Sequence, residues 1–126
     1  MGDFIHIDYK AVEALKPDVI LTDTNMQRKH ADSLRARGFK VLHFEPDHLE
    51  DVLSCIQEIG KAIGREENAA AMVQHMRQEF AAISQVSEKL PKTRVYMEIN
   101  HMGPWTFGSA SPLQDLIEIA GGTNVF

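Results

Sequence analysis

The stretch "DVILTDTNMQRKHADSLRARGFKVLHFEPDHLEDVL", residues 18–53, decides the fold class. It opens on "DVILT" (18–22), an apolar run bounded by polar residues, as expected for a strand covered on both faces. A helical segment follows from about Gln27 to Arg37, with Ala31 and Leu34 on its inner face, and Gly38 suits the left-handed position that ends it. "FKVLHF" (39–44) reads as a second buried strand. The next helix opens with Asp47 as N-cap and Glu50 three residues on, the spacing of a capping box. Strand, helix, strand, helix in this order predicts right-handed crossovers and a parallel sheet.

The flanks extend the same pattern. Upstream, Asp8 caps a short helix in which Val12 can pack back on Ile7, and Pro17 stops it. Downstream, Leu49, Val52, Leu53, Ile56, Ile59 and Ile63 recur at helical spacing and form a core face. A long helix is predicted from about Glu66 to Lys89, where Ala69, Val73, Met76, Phe80 and Ile83 make a narrow stripe. "TRVYMEI" (93–99) alternates and reads as a third strand with Val95, Met97 and Ile99 on one face. Ser111 can then cap a last helix, with Pro112 at its first position and Gln114 as capping-box partner, which Gly121 and Gly122 close. The predicted fold class is α/β, a parallel sheet with flanking helices.

Composition excludes several functions. The chain has 126 residues, 44% hydrophobic and 25% charged, with a formal charge of −5, and it contains no basic run interleaved with aromatics. Nucleic acid is therefore not an expected partner, because phosphate contacts need concentrated lysine or arginine. No apolar run approaches the roughly 18 residues that span a bilayer. "MGDFIHIDYK" lacks the pattern of a secretory signal, so the chain as written is expected in the cytoplasm. Cys55 is the single cysteine and reads as a small apolar side chain. Neither a glycine-flanked serine elbow nor a phosphate-binding glycine loop is present, so no enzyme activity and no catalytic residues are expected. No resident cofactor or metal site is expected either.

In a parallel α/β sheet, ligands meet the loops that leave the carboxyl ends of strands. Three such loops are "TDTNMQ", "FEPDH" and "NHMGPWTFGSAS". In the third, Trp105 and Phe107 offer rigid apolar surface, Gly103 and Gly108 allow close approach, and Ser109 and Ser111 precede a helix whose free amides can receive an anion. Packing of Trp105 on its own helix is the competing explanation. Thr24, Asn25 and Met26 precede the second helix, where capping by Asn25 or Thr24 explains them equally well. Glu45, Asp47 and His48 cluster after the second strand, though Asp47 is already used as a cap. Glu98 and His101 are poorly placed to share a metal, leaving His101 as a single axial contact to a bound chelate.

Taken together, "AVEALKPDVILT", "LRARGFKVLHFEPDHLEDVLSCIQEIGKAIGREENAAAMVQHM", "TRVYMEI" and "GPWTFGSASPLQDLIEIAGGTNVF" resemble the periplasmic binding proteins that deliver iron siderophores, haem or cobalamin to ABC importers. The resemblance covers essentially the whole chain. It implies a two-lobed α/β protein with ligand in the interlobe cleft. Residues 1–64 then match the later part of the first lobe, residues 65–91 the connecting helix, and residues 92–126 the beginning of the second lobe. It places Thr24, Asn25, Met26, His101, Trp105 and Phe107 on the cleft loops, and implies a metal-chelate ligand, membrane subunits of an ABC importer as partners, and an extracytoplasmic location. Where a cobalamin-binding member carries a docking glutamate, this chain has Gln27, Arg28 and Lys29. Members are roughly twice this length, so the chain reads as a fragment whose open sheet edges and apolar end at Val125 and Phe126 favour a homo-oligomer. Two alternatives accompany this: a truncated, non-transporting module that dimerises, and a tetrapyrrole metal chelatase, for which His101 and Glu45 would be the facing histidine and carboxylate.

Overall fold

The computed structural model describes residues 6–99, 103 and 105–126. The chain divides into two compact units, Met1–Glu45 and Pro46–Phe126.

The first unit contains α1 (Tyr9–Leu15), β1 (Ile20–Asp23), α2 (Thr24–Ala36) and β2 (Val41–Phe44). Asp8 caps α1 as expected, its Oδ1 accepting from the Ala11 amide at 3.1 Å. Lys16 takes a left-handed conformation at the C-cap, and Pro17 follows. β1 and β2 pair in parallel, in a register that sets Ile20 beside Val41 and Thr22 beside His43. The core is Ala31, Leu34 and Val41, against which Ile7, Tyr9, Val12, Ile20 and Phe39 pack. Ile7 and Val12 thus meet the same cluster, in keeping with the predicted staple. Gly38 ends the segment at φ +88°, a conformation that favours glycine.

Two expectations for this unit need correction. The helix begins at Thr24 rather than near Gln27, because Asp23, the last residue of β1, is its N-cap and accepts from the Thr24 amide at 2.9 Å. β1 is not covered on both faces: Leu21 is 48% exposed, since the helices of this unit pack around the cluster containing Ala31 and Leu34.

The second unit contains α3 (Leu49–Ala62), α4 (Glu66–Ser87), β3 (Thr93–Val95), α5 (Pro112–Ile119) and β4 (Gly122–Asn124). The start of α3 lies one residue beyond the predicted cap: His48 is the N-cap, and Asp51 instead of Glu50 takes the amides of Asp47 and His48 at 3.1 and 2.8 Å. Asp115 of α5 reinforces this end, accepting from the Leu49 amide at 2.6 Å. Its negative charge at a helix N-terminus is favourable.

Helices α3 and α4 pack together, burying Leu53, Gly60, Ala69 and Val73. The predicted α4 stripe is buried only in its first half: Met76 and Phe80 are half-buried and Ile83 is 48% exposed. Length explains this, because α3 has 14 residues and α4 has 22, so at about 1.5 Å per residue the longer helix runs on well past its neighbour. The helices approach closely at Gly60, where an added Cβ would lie 2.3 Å from the Ala69 Cβ and 3.1 Å from the Arg65 carbonyl oxygen. Gly60→Ala should therefore destabilise the protein by about 1–3 kcal/mol, the clash outweighing the roughly 1 kcal/mol gain in helix propensity. Urea titration checks this; a variant as stable as the parent would mean that the contact relaxes freely.

The alternating segment 93–99 forms a strand only over Thr93–Val95, and Met97 and Ile99 are exposed. Its partner β4 is only three residues long and pairs with it in parallel from Thr93–Gly122 to Val95–Asn124. β4 was not anticipated. Gly121, at φ +83°, does end α5, but Gly122 begins a strand instead of closing the helix. Gln114 is also not a capping-box partner, since its Nε2 donates to Glu118 at 2.7 Å. The parallel α/β class is observed, with two two-stranded sheets among the described residues.

Candidate functional site

In the first unit the carboxyl ends of β1 and β2 carry a connected polar cluster. Thr22 and His43 are neighbours in the parallel register, and the Thr22 Oγ1 lies 2.9 Å from the His43 Nδ1. The other ring nitrogen, Nε2, is 2.9 Å from the Glu45 Oε1. Arg28, one turn into α2, donates from Nε to the same oxygen at 3.0 Å and from Nη2 to the Glu45 Oε2. Such a fork-to-carboxylate pair is geometrically specific. The Arg28 guanidinium, and then the His43 ring, hold the Glu45 carboxyl below its ordinary titration range. The His43 side chain is 10% exposed, whereas that of Arg28 reaches solvent.

Thr24, Asn25 and Met26 lie beside this cluster in sequence and form the first turn of α2. Neither Thr24 nor Asn25 is the cap, that role falling to Asp23. Thr24 has φ +65°, unusual for a β-branched residue, and its hydroxyl oxygen is buried with no hydrogen-bond partner among the described residues. Asn25 and Met26 are exposed. Asp47 and His48, grouped with Glu45 in sequence, serve the start of α3 in the second unit. Among the described residues no group of three metal-ligating side chains occurs.

In the second unit the structure separates the two loop aromatics. Trp105 is 65% exposed; its amide donates to the Gly103 carbonyl at 2.7 Å and its carbonyl accepts from the Ile99 amide at 2.9 Å. An added Cβ on Gly103 would lie 3.1 Å from the Trp105 Nε1, so the indole lies over that glycine. Phe107 is 8% exposed and its carbonyl accepts from the Asn124 Nδ2 at 3.3 Å, which makes it part of the interior. Ser109 is exposed. Ser111 caps α5 and its Oγ accepts from the Leu113 amide at 3.3 Å, so that amide is not free for an anion. His101 lies outside the described residues. A separate apolar groove of about 500 Å³ is lined by Leu90, Val95, Met97, Leu113, Leu116 and Ile117 among others, and by none of the candidate loop residues.

Sequence reading missed Thr22, Arg28 and His43. The signal was a polar residue late in each apolar strand, Thr22 in one and His43 in the other, but only the register, which places Thr22 opposite His43, turns it into a contact.

The family model described as "Periplasmic binding protein" matches residues 2–126. The chain belongs to the periplasmic binding protein family. A vitamin B12-binding protein of Yersinia pestis is 23% identical over 122 residues, covering 95% of this chain and 43% of the relative. Among solved structures, the periplasmic vitamin B12-binding protein BtuF of Vibrio cholerae superposes with a TM-score of 0.81 at 17% identity, covering 98% of this chain and 49% of that one. The haem-complexed IsdE of S. aureus gives 0.78 at 22% identity, with coverages of 97% and 48%. This periplasmic binding protein chain therefore spans about half the length of the relatives it matches. The family is one of binding proteins, in line with the reading that found no catalytic constellation.

Proposed function

We propose that this chain supplies part of the ligand-binding wall of an ABC-importer binding protein whose cargo is a bulky metal chelate such as cobalamin, haem or a ferric siderophore. The observation that carries this is Trp105, exposed in the loop that follows β3, where a parallel sheet meets its ligands. The relatives named for vitamin B12 and the structure with haem support the ligand class. Thr24, Asn25, Met26 and Glu45 at the ends of β1 and β2, with His101, Trp105, Phe107 and Ser109 from the other loop, are the residues assigned to ligand. Phe107 acts from the interior, by holding the loop that presents Trp105.

On this reading residues 1–64 belong to one lobe, 65–91 to the connecting helix and 92–126 to the second lobe. The intact protein works outside the cytoplasm with importer membrane subunits. No helix among the described residues is long and apolar enough to cross a membrane. Titrating the chain with haemin, with cyanocobalamin and with a ferric siderophore, followed by ligand absorbance, should give a saturable spectral change for at least one of them. Strictly linear addition spectra for all three would overturn the chelate class.

The chain alone is also proposed to self-associate, because Leu90, Met97, Leu116, Val125 and Phe126 are exposed in the second unit. Light scattering at micromolar concentration should give more than the 14.2 kDa of one chain; a clean monomer mass would refute it.

A further inference from the structure

The cluster at the ends of β1 and β2 has two complete hydrogen-bond arrangements that differ by one proton. Glu45 in its ionised form is an acceptor only, so the His43 Nε2 that faces it must carry hydrogen. With His43 neutral, Nδ1 is then a lone pair and accepts from the Thr22 hydroxyl at 2.9 Å. With His43 protonated, Nδ1 donates to the same oxygen, and the Thr22 hydroxyl hydrogen turns to the Leu42 carbonyl oxygen, 3.4 Å away. No heavy atom has to move. Thr22 is 6% exposed and the His43 side chain 10% exposed, so solvent competes little for either bond.

We propose that Thr22, His43, Glu45 and Arg28 form a proton-responsive relay, in which uptake of one proton from solvent at the His43 Nδ1 reverses its hydrogen bond with Thr22 and makes the strand-end rim one charge unit more positive. The charged groups around His43 are few. Glu45 follows it on its own strand, and Arg28 comes from α2 with Asp32 acting on it one turn further along. β1 contributes the uncharged Thr22 and, one residue on, Asp23, whose carboxylate is held by the Thr24 amide. The Arg28–Glu45 pair is neutral as a whole, so the added proton offsets the Asp23 carboxylate and lowers the negative charge of the rim. Resting on the reading that this rim faces ligand, acid conditions strengthen its attraction for chelates bearing carboxylates.

The test needs no ligand, and its failure is separate from that of the binding assignment. In the full chain labelled with ¹⁵N-histidine, the two ring nitrogens of His43 are followed by NMR from about pH 8 to about pH 5. At the alkaline end Nε2 should be protonated and Nδ1 should show the shift of an unprotonated, hydrogen-bonded nitrogen; at the acid end both should be protonated. Thr22→Val should move the alkaline Nδ1 resonance toward that of a free, non-bonded nitrogen. In Glu45→Gln, at a more exposed position, the side-chain amide can donate as well as accept, so the single alkaline tautomer of His43 should give way to a mixture of the two. An Nδ1-protonated tautomer at alkaline pH in the parent, a ring that keeps one protonation state throughout, or a Glu45→Gln variant that keeps the parent's single tautomer would overturn the relay.

Discussion

Leu34→Ala should cost about 2–5 kcal/mol, the range for emptying a fully buried leucine site. Leu34 is 1% exposed and sits in the cluster with Ala31 and Val41 against which Ile7, Tyr9, Val12, Ile20 and Phe39 pack, so truncation removes the largest fully buried side chain of this unit. The unit containing it ends at Glu45, and so small a body has little core to spare. The loss should appear as a lower urea midpoint, and as faster hydrogen exchange of the β1 and β2 amides with little change in α3 and α4. A loss below about 1 kcal/mol would place Leu34 away from the core and contradict the phase assigned to α2.

The second large effect is expected at Gly122. An added Cβ there would lie 2.7 Å from the Ile117 Cγ2, 3.0 Å from the Val95 Cγ2 and 3.1 Å from the Ile117 carbonyl oxygen. Because one of these contacts is backbone, a side-chain rotation cannot clear them all. Gly122→Val should destabilise the second unit by about 3 kcal/mol and separate β4 from β3, since valine's strand preference is smaller than the overpacking cost. Urea denaturation measures the loss, and proteolysis near the C-terminus reports the separation. Parent-like stability would mean that Gly122 occupies an open position and that the β3–β4 register is wrong.

Helical periodicity made most of this fold legible. Ala31 and Leu34, or Ala69 and Val73, recur at the spacing of one helix face, and burial follows that spacing directly. Caps were legible to within a residue. Asp8 and Ser111 hold their predicted positions, but Asp23 displaces Thr24 and Asn25 at α2, because a strand that runs straight into a helix uses its own last residue as the cap. β4 was hidden because its first residue is a glycine, which in sequence marks a helix end and here is required by close approach to Ile117. For α4, the sequence carried the stripe but not the length of the neighbour that covers it, so Ile83 was placed in a core that stops short of it.

The candidate site was legible as loops and not as contacts. Parallel-sheet logic pointed to the ends of β1, β2 and β3, and at the end of β2 Glu45 is paired with Arg28 and His43. Its partners Arg28 and His43 depend on register and on helix phase beyond the strand end, neither of which is written in local sequence. Trp105 and Phe107 stand two residues apart, and the hydrogen bond between the Asn124 side chain and the Phe107 carbonyl helps fix which of them turns inward. That bond depends on β4, the strand that sequence alone did not disclose.

Trp105 is assigned to the ligand-facing wall, and its own emission reports whether a ligand reaches it. Trp105 is the single tryptophan of the chain, so quenching reports on this loop alone once absorption by a coloured ligand is corrected. Haemin and cyanocobalamin should each be titrated against the parent while emission is followed, and against Trp105→Leu while ligand absorbance is followed. The expected result is saturable quenching by at least one chelate below about 1 mM, with affinity reduced at least several-fold in Trp105→Leu, because a large aromatic surface would be removed from the contact. Quenching that never saturates, or a Trp105→Leu variant that binds as tightly as the parent, would contradict it.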